Sequence, residues 1–259
     1  KIGVAVLCTL ARSRVSTDAL TVKMLYGSYM LFVASLLQFS ESFRPSVALP
    51  RQARRNQNGL FAFPENTMKA SVYIAATVDG FIATPDGDVG FLDEYHGAPS
   101  TKDEPQKANK YDFDSFMKSV DVVIFGRKSF EKVLSFGPEM WAYGKTKVVV
   151  LTRQNSLEIP SHLKEQATWT AKRPQELLSQ LSAEGYEHAY IDGGQTIQSF
   201  LSAKLVNQLI LTRVPLLLGQ GIPLFDHQSS ASIKLDHQET VDLGNGLITS
   251  CYNVLSDHN

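Results

Sequence analysis

The sequence predicts an α/β fold, a mostly parallel sheet that finishes in antiparallel strands. Two stretches carry most of that reading. "DVVIFG" (residues 121–126) and "TKVVVLTR" (residues 146–153) are near-continuous apolar runs. Strands covered on both faces look like this, as in a parallel sheet. The third observation is order. From Lys69 onward, β-rich runs alternate with helix-length amphipathic segments, and the chain then ends in extended sequence. No internal repeat is present.

The elements follow in sequence. "ASVYIAATV" (Ala70–Val78) is a β-rich run closed by a turn at Asp79–Gly80, and Pro85–Asp86–Gly87 marks a second turn. "YDFDSFMKSV" (Tyr111–Val120) places Phe113 and Phe116 one helical turn apart and reads as a short amphipathic helix. "RKSFEKVLSF" (Arg127–Phe136) is a helix between the two buried strands. "RPQELLSQLSAEG" (Arg173–Gly185) is a helix with Pro174 near its start and Gly185 just past its end. "HAYIDGG" is a strand running into a turn, and "QTIQSFLSAKL" (Gln195–Leu205) is the helix after it. "NQLILTRVPLLLG" (Asn207–Gly219) is a strand in which Pro215 suggests an edge position or a bulge. The final stretch reads as a hairpin turning at Asn245–Gly246.

Composition bounds the function classes. The 259 residues are 43% hydrophobic and 20% charged, with a formal net charge of −1, so nothing global favours nucleic acid as a partner. Two cysteines, Cys8 and Cys251, exclude a disulfide framework and a cysteine-based zinc site. The histidines, His96 among them, are scattered and read as surface residues, so no metal is expected. Trp141 and Trp169 read as packing residues.

The charge is uneven. Residues 1–68 hold eight Lys or Arg and three acids, a net of +5, which leaves −6 for the remainder. Within them "MLYGSYMLFVASLLQF" is short for a membrane span, and the Arg- and Ser-rich stretch after it suits an organelle transit segment. An equal reading is that translation starts at Met68. Residues 1–68 are therefore expected to lie outside the fold, with residues 69–259 as the body. The compartment is cytoplasmic on the second reading and an organelle, plastid-like, on the first. No stable membrane insertion is expected.

Three strand ends fall on one side of a parallel sheet, where ligands of such folds bind. In Gly126-Arg127-Lys128-Ser129 two cations and a hydroxyl open a helix. Cations are misplaced at the positive end of a helix, and a bound anion would remove the conflict. Solvated side chains at a helix start are the plainer explanation. Thr152 and Arg153 follow Leu151 at the next strand end. In Gly193-Gly194-Gln195-Thr196 the glycines would let backbone approach a phosphate, although a bare Gly-Gly is most often a turn and no G-x-G-x-x-G is present. Asp79, Asp112 and Asp192 are the acid candidates. Asp79 lies in a turn where Asp commonly bonds its own backbone, and Asp112 fits a helix-start acid.

Taken in order, "VYIAATVDGFIA", "VVIFGRKSFE", "VVVLTR", "YIDGGQTIQSFL" and "LVNQLILTRVPLLLGQGIPLF" resemble the dihydrofolate reductase-like superfamily. Within it they are most similar to the C-terminal reductase domain of bacterial riboflavin-biosynthesis deaminase-reductases and its stand-alone relatives. The resemblance implies a three-layer dihydrofolate reductase-like fold, with a central eight-stranded sheet and helices on both faces. It implies an NADPH-dependent reductase, usually a homodimer, acting on a small molecule. Gly126, Arg127, Lys128 and Ser129 would then meet cofactor phosphates. Thr152 and Arg153 would meet the adenosine 2′-phosphate with Arg127, and Leu151 the adenine side. Gly193, Gly194, Gln195 and Thr196 would cradle the pyrophosphate, and Ala75 and Ala76 would lie along the nicotinamide.

Two departures bear on the substrate. The Asp-Asp-Pro segment usual in riboflavin-pathway reductases is absent, and Asp192 stands where they tend to carry Glu. The expected activity is hydride transfer from NADPH to a small heterocycle, a pterin or riboflavin precursor, including 5-amino-6-(5-phosphoribosylamino)uracil reductase-type chemistry. Asp79, Asp112 or Asp192, or a water, would supply a proton. The alternative is a nucleotide-binding module of the same fold without catalysis.

Overall fold

The structure, a computed structural model, describes residues 68–95, 111–154, 156–225, 232–243 and 246–255. Most of residues 1–68, His96 and Asn245 lie outside the described residues. Met68, assigned above to the leader, does not. It is 1% exposed and belongs to the core.

Ten strands and four α-helices are described. The strands are β1 (Lys69–Thr77), β2 (Phe81–Ala83), β3 (Val122–Gly126), β4 (Lys147–Leu151), β5 (Ala167–Thr170), β6 (His188–Asp192), β7 (Gln208–Val214), β8 (Ile222–Pro223), β9 (Leu235–Asp242) and β10 (Ile248–Val254). The helices are α1 (Phe113–Met117), α2 (Arg127–Leu134), α3 (Pro174–Ala183) and α4 (Gly194–Ser202). Eight strands form one sheet in the order β5-β4-β3-β6-β1-β7-β10-β9. The first six run parallel, and β10 and β9 are antiparallel additions at one edge. β2 and β8 form a separate short ribbon.

Alternation along the strands builds a core on each face. Val122, Ile124, Ala189 and Ile191 point to one side, where Leu177 and Leu181 of α3 and Ile197 and Phe200 of α4 meet them. Val123, Phe125, Val148, Val150 and Tyr190 point to the other, against Phe113 and Phe116 of α1 and Phe130 and Val133 of α2. This is the α/β sheet that the residue pattern predicts, in the three-layer arrangement that the resemblance implies. Residues 122–125 are each 0% exposed, which explains their unbroken apolarity. Each such side chain contributes roughly 1.5–3 kcal/mol on burial.

The second core is strongly aromatic. Tyr73, Phe113, Phe116, Tyr143 and Tyr190 make a chain of ring contacts that continues through Phe125 to Phe130 and Trp141. The hydroxyls of Tyr73 and Tyr190 donate to the carbonyls of Tyr111 and Tyr73. Burial raises the pKa of both tyrosines, so they remain protonated donors.

Several expectations need correction. Pro215 marks neither an edge strand nor a bulge. β7 lies inside the sheet between β1 and β10, and Pro215 is the first residue past its end, so no ladder bond is lost. The helix predicted over residues 111–120 is confined to five residues. Trp169 is 38% exposed, because β5 is an edge strand with one face toward solvent. His188 is buried, unlike the surface position expected. Its Nδ1 lies 2.7 Å from the Ser119 carbonyl and its Nε2 2.8 Å from Ser71 Oγ. The last hairpin forms as β9 and β10, and their register shifts between Cys251 and Tyr252. Among the described residues no helix is long and apolar enough to cross a membrane.

Candidate functional site

β3, β4, β5 and β6 are parallel neighbours, so their carboxyl ends share one edge of the sheet. Three of those ends lead into helices α2, α3 and α4. A cleft of about 920 Å³ opens there. Gly126, Arg127, Lys128 and Ser129 line it from the start of α2, and Leu151, Thr152, Arg153 and Gln154 from the end of β4. Gly193, Gly194, Gln195 and Thr196 line it from the start of α4. The structure thus brings three separate sequence motifs onto one surface.

A fourth segment went unnoticed in the sequence. Thr170, Ala171, Lys172 and Arg173, at the β5–α3 junction, line the same cleft. β5 is only four residues long, with two of them exposed, and shows no clear apolar run. Its one signal was a Lys-Arg pair immediately before the Pro of a predicted helix. Ile82 and Ile222, one from each strand of the short ribbon, add an apolar wall.

The electrostatics are one-sided. Arg127, Lys128, Arg153, Lys172 and Arg173 all line the cleft, and among the described residues no Asp or Glu does. Neither α2 nor α4 carries a side-chain N-cap; a glycine, Gly126 or Gly193, occupies each cap position. Free N–H groups and positive dipole ends therefore face the same space as the cations. Arg127 Nη1 donates to both oxygens of Glu131, at 2.6 and 2.9 Å, one helical turn away. A half-exposed i,i+4 pair of this kind is worth only about 0.3–0.5 kcal/mol. It orients Arg127 more than it stabilises the helix.

The glycines do more than turn the chain. Gly193 has φ +91, and a Cβ there would lie 2.2 Å from Ser129 Oγ. A Cβ on Gly126 would lie 2.7 Å from Thr196 Oγ1. The two helix starts interlock at these positions, each lacking a side chain where the other brings a hydroxyl. Gly194 meets the ribbon instead, where a Cβ would lie 2.9 Å from Ile82 Cδ1.

The remaining candidates stand apart from the cleft. Ala75 and Ala76 are buried in β1 beside Thr212 and Arg213 of β7 and do not line it. Asp79 accepts from the Thr77 hydroxyl and, at 2.7 Å, from Gly219 N–H, so it ties the β1–β2 turn to the loop after β7. The Thr77 bond chiefly holds its pKa below the ordinary carboxylate value. Asp112 is the N-cap of α1 and accepts from Ser115 N–H at 2.9 Å. Partial burial opposes ionisation there, but the bonds from Ser115 prevail and lower its pKa. Asp192 is fully buried behind the Gly193 turn, where it accepts from Gly193 N–H and the Tyr143 hydroxyl. Among the described residues no group of three His, Cys, Asp or Glu could hold a metal ion.

Comparison with known proteins agrees with this architecture. The family model of the RibD C-terminal domain matches residues 69–249. The uncharacterised protein YwjB of Bacillus subtilis (strain 168) is 30% identical over 177 residues, covering 68% of this chain and 92% of that protein. A riboflavin-biosynthesis candidate from Shewanella sp. PV-4, solved by crystallography, is 29% identical with a TM-score of 0.62. That match covers 73% of this chain and 100% of the Shewanella chain. A pyrimidine reductase-like protein of Corynebacterium diphtheriae shares the fold at 17% identity and a TM-score of 0.51, covering 74% of this chain and 94% of that one. From its matched residues, its sheet order and the cleft at its strand ends, the chain belongs to the RibD C-terminal domain family and is a reductase-like domain.

Proposed function

We propose that the protein is an NADPH-dependent reductase of a small heterocyclic compound, a pterin or a riboflavin precursor. One observation supports this above the others: a cleft that, among the described residues, is lined by five cations and no acid, and into which two glycine-capped helix starts open. That donor set suits a multiply phosphorylated dinucleotide. Gly193, Gly194, Gln195 and Thr196 would hold the pyrophosphate on the α4 backbone. Arg127, Arg153 and Thr152 would hold the 2′-phosphate, with Lys172 and Arg173 close by on the β5–α3 junction. Guanidinium–phosphate pairing favours NADPH over NADH. When bound, the cofactor supplies hydride. The residues of this chain supply charge pairing, orientation and the apolar wall of Ile82 and Ile222.

The substrate class rests on the family and on the Shewanella relative, whose name places it in riboflavin biosynthesis. A second reading is favoured by a specific observation. Asp79, Asp112 and Asp192 each make structural hydrogen bonds and none lines the cleft. A dinucleotide-binding module without turnover would look the same. NADPH oxidation measured against a panel of pterins and ribosylaminopyrimidines separates the two. Turnover with any of them supports the reductase; tight NADPH binding with no oxidation across the panel supports the binding module. We further propose a homodimer, as the resemblance implies, to be checked by light scattering.

A further inference from the structure

We infer that Asp192 and Tyr143 form a positioning pair that sets the Gly193 turn, so that Asp192 acts through the backbone and not as a proton donor. The dinucleotide part of this inference rests on the cofactor reading proposed above.

The geometry is specific. Asp192 is the last residue of β6, 0% exposed, and points to the aromatic face of the sheet. One carboxylate oxygen accepts from Gly193 N–H at 2.7 Å, and the other from the Tyr143 hydroxyl at 3.4 Å. Tyr143 is 1% exposed, its ring held edge-on by Phe125 and Trp141. The peptide thus fixed leads into Gly193, whose φ of +91 lays it against Ser129. A buried carboxylate is costly unless its oxygens find donors. Two of those donors are the backbone of the turn and a hydroxyl anchored in the core. The carboxylate therefore transmits the position of the core to the N-terminus of α4.

The charge itself is not what the turn requires. A carboxylate behind the positive end of α4 repels an anion bound in front of it. Asp192→Asn keeps an oxygen to accept from Gly193 N–H and offers its amide N–H to the Tyr143 oxygen, without that repulsion. Asp192→Ala removes both bonds. Tyr143→Phe removes one and leaves the ring packing intact.

Two readouts on the full-length protein test this. The first needs no ligand: amide hydrogen exchange over residues 190–197. Asp192→Ala should speed exchange there roughly tenfold, the loss of about one buried hydrogen bond. Asp192→Asn should exchange like the wild type, and Tyr143→Phe should fall between. The second is NADPH and NADH affinity by fluorescence titration. Asp192→Ala should weaken both roughly tenfold and leave their ratio unchanged, because the turn faces the shared pyrophosphate. Asp192→Asn should bind both at least as tightly as the wild type. Unchanged exchange in Asp192→Ala, exchange in Asp192→Asn as fast as in Asp192→Ala, or an affinity loss confined to NADPH would overturn the inference. Altered exchange in a protein whose wild type binds neither dinucleotide would leave the positioning pair standing and remove the cofactor reading.

Discussion

Gly193 and Ser129 touch where two helices begin. They belong to different strand–helix junctions, yet a Cβ on Gly193 would lie 2.2 Å from Ser129 Oγ. That contact locks the starts of α2 and α4 side by side. It sets two helix N-termini side by side on the wall of one cationic cleft.

Gly193→Ala should therefore cost more than its backbone strain. A positive φ costs a β-carbon residue about 1–2 kcal/mol, and the collision with Ser129 adds to that. We expect a loss of about 2–4 kcal/mol in urea unfolding, within the range of strained core substitutions. Adding Ser129→Gly should recover more than about 0.5 kcal/mol, the coupling typical of residues in contact. Additive losses in the double variant would show that the two residues do not meet.

Arg127 and Arg153 should govern cofactor choice. Replacing either with Ala is expected to weaken NADPH binding roughly tenfold or more, the scale of one charge-assisted hydrogen bond. NADH binding should change far less. Raising the salt should narrow the gap between NADPH and NADH, because these side chains are partly exposed and screened. Isothermal titration at two ionic strengths reads both effects.

Lys172 and Arg173 should contribute to the same preference. Removing both positive charges with Gln is expected to weaken NADPH several-fold and to reduce its salt dependence. An unchanged NADPH affinity would place the 2′-phosphate away from the β5–α3 junction.

His188 should make the fold sensitive to mild acid. Burial chiefly holds its pKa below the ordinary value of 6.5, against the opposing bond to Ser119. Below pH 6.5 the unfolded chain takes up a proton that the folded state resists. Stability should then decline as the pH falls through 6.5 toward the lower folded value. His188→Gln should be less stable at neutral pH but flatter between pH 7 and 5 in urea titrations. Asp79, Asp86 and Asp112 also have lowered pKa values, below 3.8. Their contributions are lost only in stronger acid, so the two windows separate.

The helices and the buried parallel strands were legible because their signals are local. Residues 122–125 are apolar without a break, and Pro174 and Gly185 bracket α3. β2, β5 and β8 were not legible. They are two to four residues long and are defined by partners far away in sequence, such as Ile222 beside Ala83. The same limit applied to the site. Arg127 and Arg153 stand out at ends of strong strands, whereas Lys172 and Arg173 follow a weak edge strand. Pro215 was misread because its position relative to the strand end, not its presence, decides what it does. The glycine pair looked like a turn until Ser129, 64 positions earlier, proved to be its neighbour.

The most direct test of the cofactor reading is NADPH affinity against NADH for the wild-type protein, titrated alongside Arg127→Ala. The expected result is tight NADPH binding, weaker NADH binding, and loss of that preference in the variant. Equal binding of the two, or binding of neither, would contradict it and leave the cationic cleft to a different anion.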